Sequence, residues 1–238
     1  MTALAAHLRL ELTLLARNGE SLLLAIGIPI LLLVFFSQVD VLPIDGEPID
    51  FLAPGLLALA VLSTSLVQVA IGTGFEREYG VLKRLGATPL GRPRLLAAKI
   101  LATLVVEAVQ IAVLAAIALA LGWDPEPQPV FLVAVALGTV ACAGIGLCLA
   151  GSLKALVTLA AANGLYLLLL LLSGMVIPLE ELPGALQWVA RALPSTALAE
   201  AVRGTLTAGD SVPGRAWVVL AVWAVGSPLL ATRLFRWE

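Results

Sequence analysis

One carboxylic acid in this chain sits where water does not belong. Glu107 lies inside the apolar run Ile100–Leu121, about 10 Å from its inner end at the rise of an α-helix. Ionised and unpaired in hydrocarbon it would cost roughly 3 kcal/mol, so it needs a hydrogen bond, neutralisation or a wet cavity. Gln110 is three residues further on and shares its face. The pair suits two uses: holding helices or subunits together, or lining a path for a substrate or for protons. Gln68, Asn163 and Tyr166 are further polar residues within apolar runs. Asn163 and Tyr166 are spaced i, i+3 on one helical face, which favours interhelical hydrogen bonds.

Other chemistry is excluded more firmly. The chain has one histidine, His7, and two cysteines, Cys142 and Cys148, too few for a zinc site or a Cys/His dyad. On a helix the cysteines would be roughly 9 Å apart, beyond disulfide reach. No metal site and no catalytic residue is expected. A membrane enzyme finds no support in paired carboxylates or in a nucleophile beside a base. The lysines are Lys83, Lys99 and Lys154, and no G-x-x-x-x-G-K-[ST] phosphate loop occurs, so this chain does not hydrolyse ATP by that mechanism. With 14 basic and 16 acidic residues, it also lacks the basic excess that nucleic acid requires.

The elements that must position these groups follow from composition. Of 238 residues 61% are hydrophobic and 13% charged, and the mean hydropathy is +1.05, which leaves too little polar surface for a soluble shell. The reading is an all-α integral membrane protein in one domain, with six spans at about Ser21–Ser37, Phe51–Gly74, Ile100–Leu121, Val130–Ser152, Ala155–Ile177 and Arg215–Thr232. A cleaved signal peptide fits the first run less well, because it begins after twenty residues and no small-x-small site follows closely. Eleven Lys and Arg fall on the face that carries both termini and six of them in the second loop, against Arg191, Arg203 and Arg215 on the other. Both termini are therefore expected in the cytoplasm. Trp123, Trp217 and Trp237 suit the interfacial belts. Gly138, Cys142, Gly146 and Ala150 recur every fourth residue in the fourth span, which lets a neighbouring helix approach.

Three segments lie outside the hydrocarbon. Leu4, Leu8, Leu12 and Leu15 recur at helical spacing before the first span, opposed by Arg9, Thr13, Arg17 and Glu20 and widened by Leu10 and Leu14; this predicts an amphipathic helix along the inner interface. The second loop, Phe75–Lys99, is the most charged stretch. Within it Phe75–Leu85 predicts a short helix presenting Phe75, Tyr79 or Val81, Leu82 and Leu85, weakened by Gly80 and ended by the break at Thr88-Pro89-Leu90-Gly91-Arg92-Pro93. By charge alone this loop reads as a solvated positive-inside loop. The fifth loop, Pro178–Pro213, predicts an outer helical hairpin: Leu182, Leu186, Val189 and Leu193 share one face, Pro194 breaks the run, and Ser195 or Thr196 caps a second helix reaching about Leu206.

The sequence Glu76-Arg77-Glu78-Tyr79-Gly80-Val81-Leu82-Lys83-Arg84-Leu85, followed by Thr88-Pro89-Leu90, resembles the characteristic loop of ABC-2 type transporter permeases, and it follows span two as theirs does. Ser173-Gly174, Pro178, Leu182-Pro183, Leu193-Pro194 and Glu200-Ala201-Val202-Arg203 look like that family's segment around its outer helices. Tyr79 and Val81 replace a basic residue and a threonine common there, and Ser195-Thr196-Ala197 replaces a Leu-Thr-Tyr-like run. The resemblance implies that Phe75, Glu76, Arg77, Glu78, Tyr79, Gly80, Leu82, Lys83, Arg84 and Leu85 form a coupling helix that inserts into a separate ATP-binding subunit. It further implies two permeases, by symmetry a homodimer, with two ATPases that carry the ATP and Mg; this chain itself binds no cofactor. The implied activity is export of a hydrophobic drug-like, lipid or lipid-linked substrate across a prokaryotic cytoplasmic membrane by alternating access. A proton-coupled secondary carrier using Glu107 is the alternative.

Overall fold

A computed structural model describes residues 3–17, 19–38, 48–86, 91–176, 178–207, 209 and 211–234. Every regular element among them is helical. In chain order these are α1 (Ala3–Arg17), α2 (Gly19–Gln38), α3 (Pro48–Leu62), a π-helical segment (Ser63–Gln68), α4 (Val69–Glu78), α5 (Val81–Gly86), α6 (Arg92–Ala120), α7 (Phe131–Ser152), α8 (Ala155–Leu171), α9 (Gly184–Ala190), α10 (Pro194–Leu206) and α11 (Gly214–Leu234). A single 3₁₀ turn, Leu179–Glu181, precedes α9.

Four helices are long and apolar enough to cross a bilayer: Pro48–Glu78, Pro93–Ala120, Phe131–Ser152 and Gly214–Leu234. The apolar stretches Ile26–Ser37 and Ala155–Leu171 are shorter. The expectation of six full spans is thus matched by four rods of spanning length. The helix at the expected fifth span stops at Leu171 because the chain turns there, with Gly174 at φ +71°, while its expected last residue, Ile177, lies outside the described residues. So do Thr88, Pro89, Leu90, Arg236 and Trp237. The helix at the expected third span starts at Arg92, eight residues before the expected Ile100, because Gly91 at φ 69° and Pro93 in the first turn open the helix there. Charged residues at its inner end therefore ride on the same rigid element as Glu107.

The main core lies between α3, α7 and α10 and is built of Leu52, Leu56, Leu59, Leu62, Leu66, Met175, Leu198 and Val202. α10 belongs to this core: from Pro194 to Leu206 only Glu200 and Arg203 are not buried. This packing of α10 on the other helices keeps its polar backbone out of lipid. The capping expectation fails. Neither hydroxyl caps α10, whose start is set by Pro194 at its first position. Ser195 Oγ instead donates to Leu169 O at 3.1 Å and Thr196 Oγ1 to Leu172 O at 2.9 Å, so both satisfy carbonyls left over at the end of α8. α9 is the outer half of the hairpin and leaves Leu186, Trp188 and Val189 exposed.

A second, smaller cluster at the inner end contains Leu82, Leu95, Leu96, Leu147 and Ala231. It docks α5 onto the ends of α6, α7 and α11.

Candidate functional site: a charged cluster behind the coupling turn

The rod α3–α4 outlasts its apolar stretch and ends at Glu78, where Tyr79 N donates to Phe75 O at 2.9 Å and Gly80 N to Arg77 O at 3.0 Å. Gly80 at φ +71° takes the left-handed conformation that a β-carbon disfavours. The single short helix expected over Phe75–Leu85 is therefore two pieces: the last turn of α4, and α5. Tyr79 is 71% exposed at the corner, its ring stacked on that of Phe75 with centroids 6.0 Å apart. Glu78, Val81, Lys83 and Arg84 are exposed, and Leu85 is half-buried.

Three residues of the expected coupling set face inward. Leu82 is completely buried in the inner cluster. Arg77 Nη1 donates to Ala150 O at 2.9 Å and Nη2 to Leu153 O at 2.7 Å, which ties α4 to the open carbonyl end of α7. Glu76 takes Lys99 Nζ at 2.9 Å on Oε1 and at 2.7 Å on Oε2. The reason is periodicity: positions 76 and 77 of a rod packed on both sides cannot both reach solvent, and turn chemistry begins only at Tyr79.

Lys99 also meets Glu11 Oε1 at 2.9 Å, and His7 Nε2 lies 3.1 Å from the same oxygen. The cluster therefore links α1, α4 and α6, and Lys99 side-chain exposure is 5%. A lysine this buried requires carboxylate partners. It also accounts for which side of α1 faces the protein. His7 and Glu11 are buried, Leu8 and Leu12 are half-buried, and Leu10 and Leu14 are exposed, as an interfacial helix facing lipid would have them. Sequence reading used Lys99 for orientation and the phosphate-loop test and His7 for the metal test, and passed over Glu11; the available signal was a lone lysine inside Leu95-Leu96-Ala97-Ala98-Lys99-Ile100-Leu101.

Burial alone would raise the Glu11 carboxyl, but the hydrogen bond from His7 and the charge of Lys99 outweigh it and hold the group at about 2. A carboxylate lowered in the folded state contributes stability that is fully present above its ordinary value and is lost as pH falls through the folded one. The stability gap between the parent and E11Q should therefore be widest at neutral pH and narrow from about pH 4.5 downward. Thermal unfolding in detergent between pH 7 and pH 3 measures it, and a gap that stays constant with pH would refute the assignment.

The cluster opens onto a pocket of about 60 Å³, lined by Glu11, Thr64, Gln68, Thr73, Glu76, Lys99 and Thr103 with Val69 and Val106 among others, large enough for several waters. Lys99, Thr103, Glu107 and Gln110 run up one face of α6 at spacings of four, four and three. Glu107 and Gln110 are both completely buried. They join different neighbours: Glu107 Oε2 accepts from Thr139 Oγ1 of α7, and Gln110 Oε1 accepts from Thr64 Oγ1 of the π-helical segment at 2.9 Å. Within this chain both connect helix to helix. The π-helical turn has its own local cause in hydroxyls that bond back to the preceding turn, Ser63 Oγ to Ala60 O at 3.1 Å and Ser65 Oγ to Val61 O, and such turns recur at functional sites. Asn163 and Tyr166 are not brought to this column. Tyr166 is half-buried against the main core, whereas Asn163 is exposed and bonds within its own helix, Nδ2 to Leu159 O at 2.8 Å. No group of three or more His, Cys, Asp or Glu among the described residues could hold a metal ion.

The family model described as ABC-2 type transporter matches residues 2–207, from α1 through the end of α10. None of the curated proteins matches the chain.

Proposed function

This chain belongs to the ABC-2 type transporter family, and on that premise we propose that it is the permease half of an ATP-driven exporter whose power stroke enters at the Tyr79–Gly80 corner. The family places it in a membrane as the permease of an ABC transporter. The observation that carries the finer reading is the corner itself: an exposed Tyr79 ring stacked on half-buried Phe75, with exposed Lys83 and Arg84 on the short helix that follows, backed by a buried charge cluster. Exposed aromatic and arginine side chains around a rigid turn are the usual anchors of a protein interface.

The partner is an ATP-binding subunit, two copies for two permeases, with ATP and Mg on the partner. Because Glu76 and Lys99 fix α4 to α6, and Arg77 fixes it to α7, a push on the corner is delivered to the helices that carry the polar column. Two packed arrangements of that bundle would alternate access. A hydrophobic drug-like or lipid substrate suits the apolar surfaces of the spans, and a prokaryotic cytoplasmic membrane with cytoplasmic termini suits the basic loops.

Affinity purification from native membranes tests this reading. A phosphate-loop ATPase is expected at one copy per permease, and Y79A/R84A, which alters exposed side chains only, should weaken its retention about tenfold or more. An intact permease without ATPase, or equal retention by the variant, would refute it. The proton-coupled reading has one observation in its favour: Glu107 Oε1 is buried and has no partner among the described residues. It requires transport driven by a proton gradient in liposomes without ATPase, and E107Q would abolish that transport.

A further inference from the structure

α4 and α8 leave a groove between them at the inner end of the protein. Its volume is about 520 Å³, and it is walled by Gly74, Arg77 and Glu78 on one side and by Lys154, Leu156 and Val157 on the other. That is the size of a ligand site. The two helices touch beside it, where a β-carbon on Gly74 would lie 3.3 Å from Thr158 Cγ2.

The lining is of two kinds, and they are ordered along α8. Lys154 is exposed and immediately precedes the helix. Arg77 is held beside it by donating to Leu153 O at 2.7 Å, so its charge adds to that of Lys154. One acid, the exposed Glu78, stands against these two cations, which leaves the groove net positive. Further along the helix Leu156 and Val157 are 71% and 51% exposed. With α8 read as a span, Ala155 marks the edge of the hydrocarbon. Lys154 then stands at the depth of lipid phosphates, and Leu156 and Val157 at the depth of the upper acyl chains. A phospholipid carries the complementary chemistry in that same order, negative charge first and hydrocarbon next.

We propose that this groove binds one anionic phospholipid of the inner leaflet, with its phosphodiester between Lys154 and Arg77 and its acyl chains over Leu156 and Val157. Basic pockets between helices on the cytoplasmic side suit such headgroups. Because Arg77 also ties α4 to the end of α7, an occupied groove braces the rod that carries the Tyr79–Gly80 corner. The site rests on the placement of α4 and α8 in a membrane and makes no use of the ATPase.

Native mass spectrometry of the full chain, with any subunit that copurifies, tests this after delipidation and titration with phosphatidylglycerol or phosphatidylcholine of the same acyl chains. One phosphatidylglycerol per chain should bind at least about tenfold more tightly than phosphatidylcholine, about fivefold more weakly in K154Q and about fivefold more tightly in E78Q. Lys154 and Glu78 are exposed, so neither change threatens the fold. R9Q removes the same charge from another exposed position on the inner side and should leave the affinity unchanged. Equal affinity for the two lipids, a K154Q protein that binds as tightly as the parent, or an R9Q protein weakened as much as K154Q would each overturn the proposal. Displacement of the lipid by inorganic phosphate would overturn it too, by showing a pocket for free anions.

Discussion

Replacing Lys99 with methionine should destabilise the permease by about 3–5 kcal/mol, the range seen when one partner of a buried ion pair is removed. Lys99 Nζ touches Glu11 at 2.9 Å and Glu76 at 2.7 Å. Methionine keeps the length and the packing but leaves two carboxylates facing each other in a site that excludes most water. They must take up protons, draw in water, or separate. Separation moves α1 away from α6 and frees the end of α4, so the coupling corner should loosen together with the fold. The measurement is the midpoint of thermal unfolding in detergent, followed by size-exclusion chromatography, for the parent, K99M and the triple variant E11Q/K99M/E76Q. Exchanging all charged members for neutral ones of similar shape is close to neutral in other buried pairs, so the triple variant should recover most of the loss. A K99M protein within 1 kcal/mol of the parent, where surface substitutions fall, or a triple variant no better than K99M, would show that the cluster does not hold these helices together.

Lys99 also marks where sequence reading ended. Apolar length identified the membrane rods, and the excess of Lys and Arg identified the loops between them, because both are local properties of the chain. Which side chain faces which neighbour is not local. Glu11 and Lys99 are 88 positions apart, and Thr64 and Gln110 are 46 apart. A wheel drawn on α1 alone separates leucines from polar residues but cannot show that His7 and Glu11 meet a buried lysine on α6. The coupling motif was legible as a motif, but its division into inward and outward residues depended on the rod running on to Glu78 and on Gly80 stopping it. Glu107 and Gln110 were legible as buried polar residues on one face; their separate partners on α7 and on the π-helical segment were not, because that segment shifts the register of everything after Leu62. Ser195 and Thr196 were recognised as hydroxyls at a helix start and assigned to the wrong helix for the same reason: the nearest orphan carbonyls belonged to α8.

A larger β-branched side chain at Gly144 should be nearly as damaging as the loss of Lys99. The four-residue stripe in α7 pointed to Gly138 and Gly146, and both are close contacts: a β-carbon at Gly146 would come within 2.6 Å of Leu66 O. Gly144 lies off that stripe, facing α11, and its missing β-carbon makes room for backbone. An added carbon there would overlap Ser227 Oγ and sit 2.8 Å from Pro228 N and from Ser227 C. The hydroxyl is pinned, within 2.7 Å of Ala141 O and 2.8 Å of Trp223 O, and Cys148 Sγ donates to Ser227 O at 3.5 Å. Pro228 is held inside a helix and cannot swing aside. Relief therefore requires α7 and α11 to move apart along their length, and overpacking of that kind costs 1–3 kcal/mol or more. G144V should lower stability by about 3 kcal/mol and G144A by about half as much. G226A is the control, because a β-carbon there meets nothing within 4 Å and alanine improves a helix by roughly 0.5–1 kcal/mol. The family match ends at residue 207, before α11 begins at Gly214, so this contact carries a further consequence. If G144V unfolds with the midpoint of the parent, α11 is a loosely attached appendage; if it falls as expected, the last helix is part of the same cooperative core that holds the coupling turn.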